Sequence, residues 1–373
     1  MSSIAPRRTG EDDGLLDILG MTSTEFVEAS HALGVPRGRA MQSYRTAFRE
    51  GRADGNWFRI DDHSMNRREV EGETTKFTLD IGEDHETESV VIPMRGRRQV
   101  TTRTLCVSSQ VGCAMGCGFC ETAQMGLIRN LSAGQIVSQW WAATHRLEAT
   151  IKNIVFMGMG EPMDNLDEVL QAIRILTDHN GPGVACANIT ISTVGRVDGI
   201  RRVADFVKQP GFHRMNLAIS VNAPNDRIRS ELMPINRAAD MAMLKEALLD
   251  YPLRSSSAFC VEYVLIPGVN DADEHCDELC RWLEPIRCSL NVIPYNPRRD
   301  SPWPAPEEDD VERFIVRAIE NGQFVKRRGT KGRDVMAACG QLGNPAIRRR
   351  RRVEPPAVVQ PEINGTPIRR EEP

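Results

Sequence analysis

The sequence predicts an α/β fold, a partial (β/α)6 barrel, and two observations lead there. From about residue 103, six short apolar runs alternate with six amphipathic segments of helical spacing. Strands separated by helices of that length form βαβ units, whose strands lie parallel in one sheet. Six such units fall short of the eight that close a barrel, so the sheet should stay open on one side.

The apolar runs are Leu105–Ser108, Ile151–Met157, Ile189–Thr193, Met215–Val221, Cys260–Leu265 and Leu290–Pro294. Helical patterns fill 133–148, 165–178, 197–208, 239–250, 272–284 and 307–321. Ahead of the barrel, Leu15, Leu16, Ile18 and Leu19, then Phe26, Ala29 and Leu33, recur at helical spacing. Gly51 and Gly55 mark turns that end this part. From Trp57 to Pro93 the pattern changes to short alternating runs, such as Lys76–Leu79 and Ser89–Ile92, the mark of a small antiparallel sheet. Four regions follow: a helical accessory region 1–55, a small β accessory region 56–102, the barrel with its C-terminal loop 103–344, and a tail 345–373. The tail is rich in Pro, Arg and Glu and should be disordered.

The 373 residues are 40% hydrophobic and 26% charged, the composition of a soluble globular protein with a sizeable core. No run approaches the roughly 18 apolar residues of a membrane span, and the N-terminal stretch lacks the apolar core of a signal peptide. The expectation is a cytoplasmic protein with no membrane partner. Ten cysteines in that setting speak for metal or thiol chemistry rather than a disulfide framework. A net charge of −4 does not decide about nucleic acid, because a phosphate backbone responds to local patches.

Cys113, Cys117 and Cys120 follow the first barrel run in VGCAMGCGFCETAQMG. Thiolates suit iron, and a four-iron cluster ordinarily takes four of them. Three close ligands leave one iron open, as in a catalytic metal site. Zinc is the plainer alternative, but its loops favour Cys-x-x-Cys pairs with a second pair elsewhere. Cys276 and Cys280 would have to supply that pair from one helix face, where buried core thiols are the more ordinary outcome.

The Cys-x-x-x-Cys-x-x-Cys spacing, with Phe119 before the last cysteine, resembles that of the radical S-adenosylmethionine (SAM) superfamily. The resemblance implies one [4Fe-4S] cluster, SAM bound at the open iron, and reductive cleavage of SAM to a 5′-deoxyadenosyl radical. Gly158-Met159-Gly160-Glu161-Pro162 follows the β-rich run NIVFMG, so it should lie at the C-terminal end of a strand, where barrel enzymes build their sites. Alone it reads as a Gly-rich turn with a surface glutamate. Beside the cysteine loop it reads as a contact for the SAM ammonium group.

The resemblance narrows at TLCVSSQVGCAMGCGFCETAQMG, VFMGMGEPMDN, ISTVGR, LAISVNAPNDRIRSELMPINR, VEYVLIPGVND, IPYNP and AACGQL. This series is similar to the RlmN/Cfr family of RNA methyltransferases, which methylate an adenine ring carbon, and spans roughly residues 88–343. The family's chemistry implies that Cys339 takes a methyl group from one SAM, as a thiolate does well. A second SAM supplies the radical that removes hydrogen from the S-methyl group, so two SAM are used per turnover. The methylene radical adds to the ring, Glu88 matches the proton acceptor, and Cys106 resolves the adduct by attacking the Cys339 sulfur. A transient Cys106–Cys339 disulfide follows and must be reduced. SAM contacts implied in the same way are Gly160, Glu161, Ser192, Ser220, Val221, Asn222 and Asn296. Many family members carry His where this chain has Asn222, which offers a donor and an acceptor but cannot carry a proton.

The resemblance further implies ribosomal RNA as substrate, with transfer RNA as a further class, an electron donor such as flavodoxin or ferredoxin, and a monomer. Carbon 2 of adenine is chosen over carbon 8 as the commoner housekeeping activity. On the residues alone, Cys106 is a small buried thiol, Cys339 a loop thiol, and Glu88 one acid among Glu83, Asp84 and Glu86. Two basic groups flank the proposed catalytic cysteines and should meet phosphates: Arg95, Arg97, Arg98 and Arg103, then Lys326, Arg327, Arg328, Lys331 and Arg333. Solvated loops are the bland alternative, and Arg348–Arg352 reads as a solvated tail. The N-terminal helices, which match the family least, are the candidates for docking folded RNA.

Overall fold

The computed structural model describes residues 14–95, 101–329, 332 and 335–344. The tail from residue 345, with Arg348–Arg352, lies outside them, as do the first thirteen residues of the helical region.

A short parallel pair, β1 (Leu16–Asp17) and β2 (Phe58–Arg59), brackets helices α1 (Ser23–Ala32) and α2 (Arg37–Glu50). Leu15–Leu19 was expected on a helix; here it supplies β1 and one 3-10 turn. Asp17 stops that segment from continuing, because its carboxylate accepts from Leu19 N and caps the turn. α1 starts at a reciprocal capping box, Thr22 with Glu25, and α2 ends at Gly51 in the left-handed region.

A meander follows: β3 (Met65–Glu71), β4 (Thr74–Asp80) and β5 (Glu86–Arg95), each antiparallel to the last. β5 pairs antiparallel with β6 (Thr101–Cys106), the first barrel strand. The small β region therefore continues the barrel sheet rather than standing beside it. A hairpin, β7 (Gln110–Gly112) with β8 (Leu127–Asn130), encloses helix α3 (Glu121–Met125). Then the βα units run in order: α4 (Ala133–His145), β9 (Ile151–Phe156), α5 (Leu166–Thr177), β10 (Ile189–Thr193) and α6 (Val197–Phe206). They continue with β11 (Asn216–Ser220), α7 (Asp226–Leu232), α8 (Met241–Leu249), β12 (Phe259–Leu265), α9 (Asp273–Leu283) and β13 (Cys288–Pro294). The last pair is α10 (Glu308–Glu320) and β14 (Val325–Arg327).

One ten-stranded sheet results, in the order β14-β13-β12-β11-β10-β9-β6-β5-β4-β3. From β14 to β6 the strands are parallel. The six expected units are present, with β14 added as a short parallel edge strand. Among the described residues β14 and β3 do not pair with each other, so the barrel is open.

The period of two decides what each strand offers. On β12, Val261, Tyr263 and Leu265 are buried under the helices, and Tyr263 stacks on Phe314 of α10 at 5.3 Å. The alternate positions, Cys260 and Glu262, face the barrel interior. The N-terminal helices seat on α4: Trp141 donates to Ala47 O at 3.2 Å, and Phe48 lies 6.3 Å from Trp140.

Arg229 on α7 has no exposed surface. It donates to Val221 O (3.2 Å), Val194 O (2.5 Å) and Asn236 Oδ1 (2.7 Å), tying the ends of β10 and β11 to one helix. Burial lowers its pKa to about 10, so the guanidinium stays charged at neutral pH. Each buried acceptor it leaves behind costs about 1–3 kcal/mol. Arg229→Met should therefore lower the unfolding free energy by about 3 kcal/mol or more, read by chemical denaturation.

Candidate active site

The C-terminal ends of the parallel strands converge on one cavity, lined by Cys106, Cys113, Cys117, Cys120 and Cys339 among others. The turn after β6 is set by Gln139 of α4, which is fully buried. Its amide accepts from Ser108 N (2.8 Å) and donates to Ser108 O (2.9 Å), fixing the exit of the chain from Cys106 toward the cysteine loop.

The loop needs glycine at its start. Gly112 has φ +73°, and a Cβ there would lie 1.8 Å from Gly126 O. Cys113 N bonds to that same carbonyl at 3.0 Å, so the loop is pinned against the β7–β8 hairpin. Below it lies an apolar nest that includes Met115, Leu232, Met233, Ile266, Tyr295 and Trp303. Arg298 donates to Gly118 O at 2.8 Å, and Gln124 to Cys120 O at 3.1 Å.

Burial pushes all three loop thiols up, and for Cys113 and Cys117 the neighbouring cysteines push further. Thiols in such a place become thiolates only beside bound cationic charge, which iron supplies. A four-iron cluster takes one thiolate on each iron, so three close thiols hold it and leave one iron open. The donor set therefore fits a cluster held by Cys113, Cys117 and Cys120. Cys276 and Cys280, the pair a zinc site would need, are buried on α9 outside the barrel.

Beside the loop stand the strand-end residues. Gly160 has φ +100°, and a Cβ there would meet Gln110 at 2.6 Å. The next residue, Glu161, is buried, and its carboxylate accepts from Met163 N (3.0 Å) and Val194 N (2.9 Å). Burial raises its pKa to about 7 despite those bonds. Ser192, Ser220, Asn222 and Asn296 also line the cavity. Val221 does not: it packs in the core with no exposure, and its N–H goes to Glu262 O at 3.1 Å. Period-two alternation turns it away from its neighbours. Asn222 has φ +56°, a conformation Asn tolerates better than most residues. Its Oδ1 accepts from Val264 N at 2.9 Å and its Nδ2 approaches Met233 Sδ at 3.4 Å, so the side chain serves the turn first.

Cys106 and Cys339 are free thiols on the wall of this cavity. Burial pushes Cys106 up to about 12, and a charge on Cys339 would push it further. Burial also raises Cys339, opposed by the Arg328 guanidinium and reinforced by Glu262 and Cys120. A charge on Cys120 of the cysteine loop is thus felt at Cys339, and one on Cys339 is felt at Cys106.

Two groups in the barrel were not expected there. Glu262 is buried and accepts from Ser192 Oγ (3.1 Å) and Ser220 Oγ (3.4 Å). Arg328 pairs with it at 2.9 Å. Arg328 was expected to face phosphates, but it follows β14 with its side chain turned into the barrel, where Glu262 compensates its charge. A carboxylate on the inward face of an apolar strand was the one available signal, since burial there requires a partner.

Glu88 is not on the cavity wall. It lies behind the Cys339 loop, buried, with Oε2 accepting from Gly343 N at 3.1 Å and paired with Lys76 Nζ at 3.2 Å. Of the basic residues, Arg103, Lys326 and Arg327 are exposed, Lys326 lying 5.5 Å from the Phe324 ring. Arg327 pairs with Glu308 at the surface. The side chain of Arg95, and Arg97, Arg98, Lys331 and Arg333, lie outside the described residues.

An open parallel barrel with three loop cysteines and a strand-end glutamate at one cavity defines a radical SAM enzyme, and the model of the Radical SAM superfamily matches residues 107–280. A solved radical SAM methyltransferase from Sphaerobacter thermophilus is 36% identical with a TM-score of 0.81, covering 87% of this chain and 98% of that one. The "Probable dual-specificity RNA methyltransferase RlmN 1" of Protochlamydia amoebophila is 40% identical over 353 residues, 90% of this chain and 96% of the relative. The dual-specificity RNA methyltransferase RlmN of Syntrophobacter fumaroxidans is 36% identical over 342 residues, 86% of this chain and 96% of the relative. The chain belongs to the RlmN family of radical SAM RNA methyltransferases.

Proposed function

We propose that this enzyme methylates carbon 2 of an adenine in ribosomal RNA, and in transfer RNA as a second class, with Cys339 as the methyl carrier. The observation that carries the reading is the placement of two free thiols, Cys339 and Cys106, on the same cavity wall as the three cluster cysteines. A radical SAM enzyme that only abstracts hydrogen needs no such pair.

When bound, the cluster and SAM supply a 5′-deoxyadenosyl radical. Cys113, Cys117 and Cys120 hold the cluster, while Gly160, Glu161, Ser192, Ser220 and Asn296 form the SAM pocket beside it. Cys339 attacks the methyl group of a first SAM and keeps it as a thioether. After a second SAM provides for loss of one hydrogen atom, the carbon on Cys339 bonds to the adenine ring, and the adduct gives up its odd electron, which the oxidised cluster would take back. Glu88 is assigned the ring proton. An electron donor such as a flavodoxin or ferredoxin would supply the electron for SAM cleavage, and Cys106 then attacks the Cys339 sulfur, which releases the methylated base and leaves a Cys106–Cys339 disulfide that must be reduced again. The reading includes a monomer in the cytoplasm. Among the described residues no helix is long and apolar enough to cross a membrane.

Nucleoside mass spectrometry on RNA from cells with and without the gene tests the substrate. The expected result is 2-methyladenosine that disappears from ribosomal RNA when the gene is deleted. Methylation at carbon 8, or an unchanged nucleoside profile, would overturn the assignment.

A further inference from the structure

We propose that Lys76 is a positioning residue for Cys339: its buried ion pair with Glu88 clamps the loop that carries the cysteine at both ends. The proposal rests on the reading of Cys339 as the methyl carrier. In the β4–β5 register Thr78 faces Glu88 and Lys76 faces Val90, so Lys76 and Glu88 are diagonal neighbours on one face of the sheet. Their charged atoms are 3.2 Å apart, with the residues 6% and 3% exposed. The other carboxylate near Lys76, Glu69, is 3.8 Å away and largely in solvent.

A pair withdrawn from water in this way is stable only if the remaining donors and acceptors are also satisfied. The Cys339 loop satisfies them. Lys76 Nζ donates to Met336 O at 3.4 Å, and Glu88 accepts from Gly343 N at 3.1 Å. One contact precedes Cys339 and the other follows it. Between them Glu121 N donates to Gly340 O (2.7 Å) and Thr122 Oγ1 to Leu342 O (2.6 Å), tying the loop to the helix that follows Cys120. Cys339 is thereby fixed between the cluster loop and the antiparallel strands. Without the ammonium group, Glu88 becomes an uncompensated buried carboxylate that draws in water and frees both loop ends.

The test uses the full chain with reconstituted cluster and reads only the first step, S-methylation of Cys339 by SAM, without reductant or RNA, by peptide mass. In K76M, iron content and SAM affinity should stay within about twofold of the unsubstituted chain, while the methylation rate falls at least about tenfold, the scale of misplaced reacting groups. K76R should recover the rate to within about threefold. E88Q keeps an acceptor for Gly343 but removes the charge, and should slow the same step; a Glu88 that acts only as a base would leave it untouched. Unchanged methylation in K76M or in E88Q overturns the clamp, and E88Q alone decides if K76M does not fold. No methylation of Cys339 in the unsubstituted chain would instead sink the underlying reading, a result the same assay separates.

Discussion

Cys339→Ala is expected to bind its cluster and SAM normally yet make no methylated RNA, a loss on the order of 1000-fold or more, as when a member of a catalytic unit is removed. The expectation follows from where the thiol stands. It lines the cavity with the cluster cysteines but is not one of them, so its removal spares the iron site. Burial raises the thiol, but the Arg328 guanidinium opposes that and favours the thiolate, the form that attacks a methyl group. Cys106 cannot replace it, because it sits at the end of a strand held on both sides by β5 and β9. Iron analysis, SAM binding and a tritium-transfer assay on RNA check the three parts. An active Cys339→Ala enzyme would mean that the methyl group reaches RNA by another path, and that this is a radical SAM enzyme of different chemistry.

The second large effect is expected from Cys106→Ala, which should stop after one turnover with RNA covalently attached through Cys339. Cys106 is 5% exposed, and removing its sulfur atom leaves a gap about the size of one methylene group, at a cost of about 1 kcal/mol. The protein should therefore fold and carry out every step up to resolution. What it lacks is the nucleophile that breaks the bond from Cys339 to the methylated carbon. Denaturing gels of the purified variant should show a slower band that nuclease digestion shortens, approaching one adduct per chain. A variant that turns over freely, or one with no nucleic acid attached, would remove Cys106 from the mechanism.

Much of this was legible before any coordinates. The six βα units stand out because a strand buried on both faces is continuously apolar while its helix repeats every three to four residues. The cysteine loop is legible from spacing alone, since a cluster needs its ligands close in sequence. Other features were hidden for definite reasons. β14 is three residues long and two of them, Lys326 and Arg327, are charged, so no pattern marks it. Leu15–Leu19 has helical spacing, but Asp17 caps the turn and the strand pairs with Phe58 and Arg59 far along the chain. The union of β5 with β6 is likewise a matter of pairing, which alternation does not reveal.

At the site, Cys106 and Cys339 were reached only through resemblance, because they are distant in sequence and ordinary in context. Glu262 and Arg328 could not be paired without the direction in which each strand faces. Lys76 and Glu88 are diagonal across a hairpin, and their partner, the Cys339 loop, comes some 250 residues later. Val221 is the reverse case. It lies within a matching motif, yet alternation points it into the core.

Whether Cys339 carries the methyl group is read by a pulse and chase. The chain is first incubated with SAM bearing a trideuterated methyl group, without reductant, then stripped of free SAM. Unlabelled SAM, reductant and RNA are added, and the first product is examined by mass spectrometry together with the Cys339 peptide. Before the chase Cys339 should carry a trideuteromethyl group, and the first methyladenine should then retain two deuteriums, with the third in 5′-deoxyadenosine. An unlabelled Cys339 peptide, or a first product with no deuterium or all three, would contradict that role for Cys339.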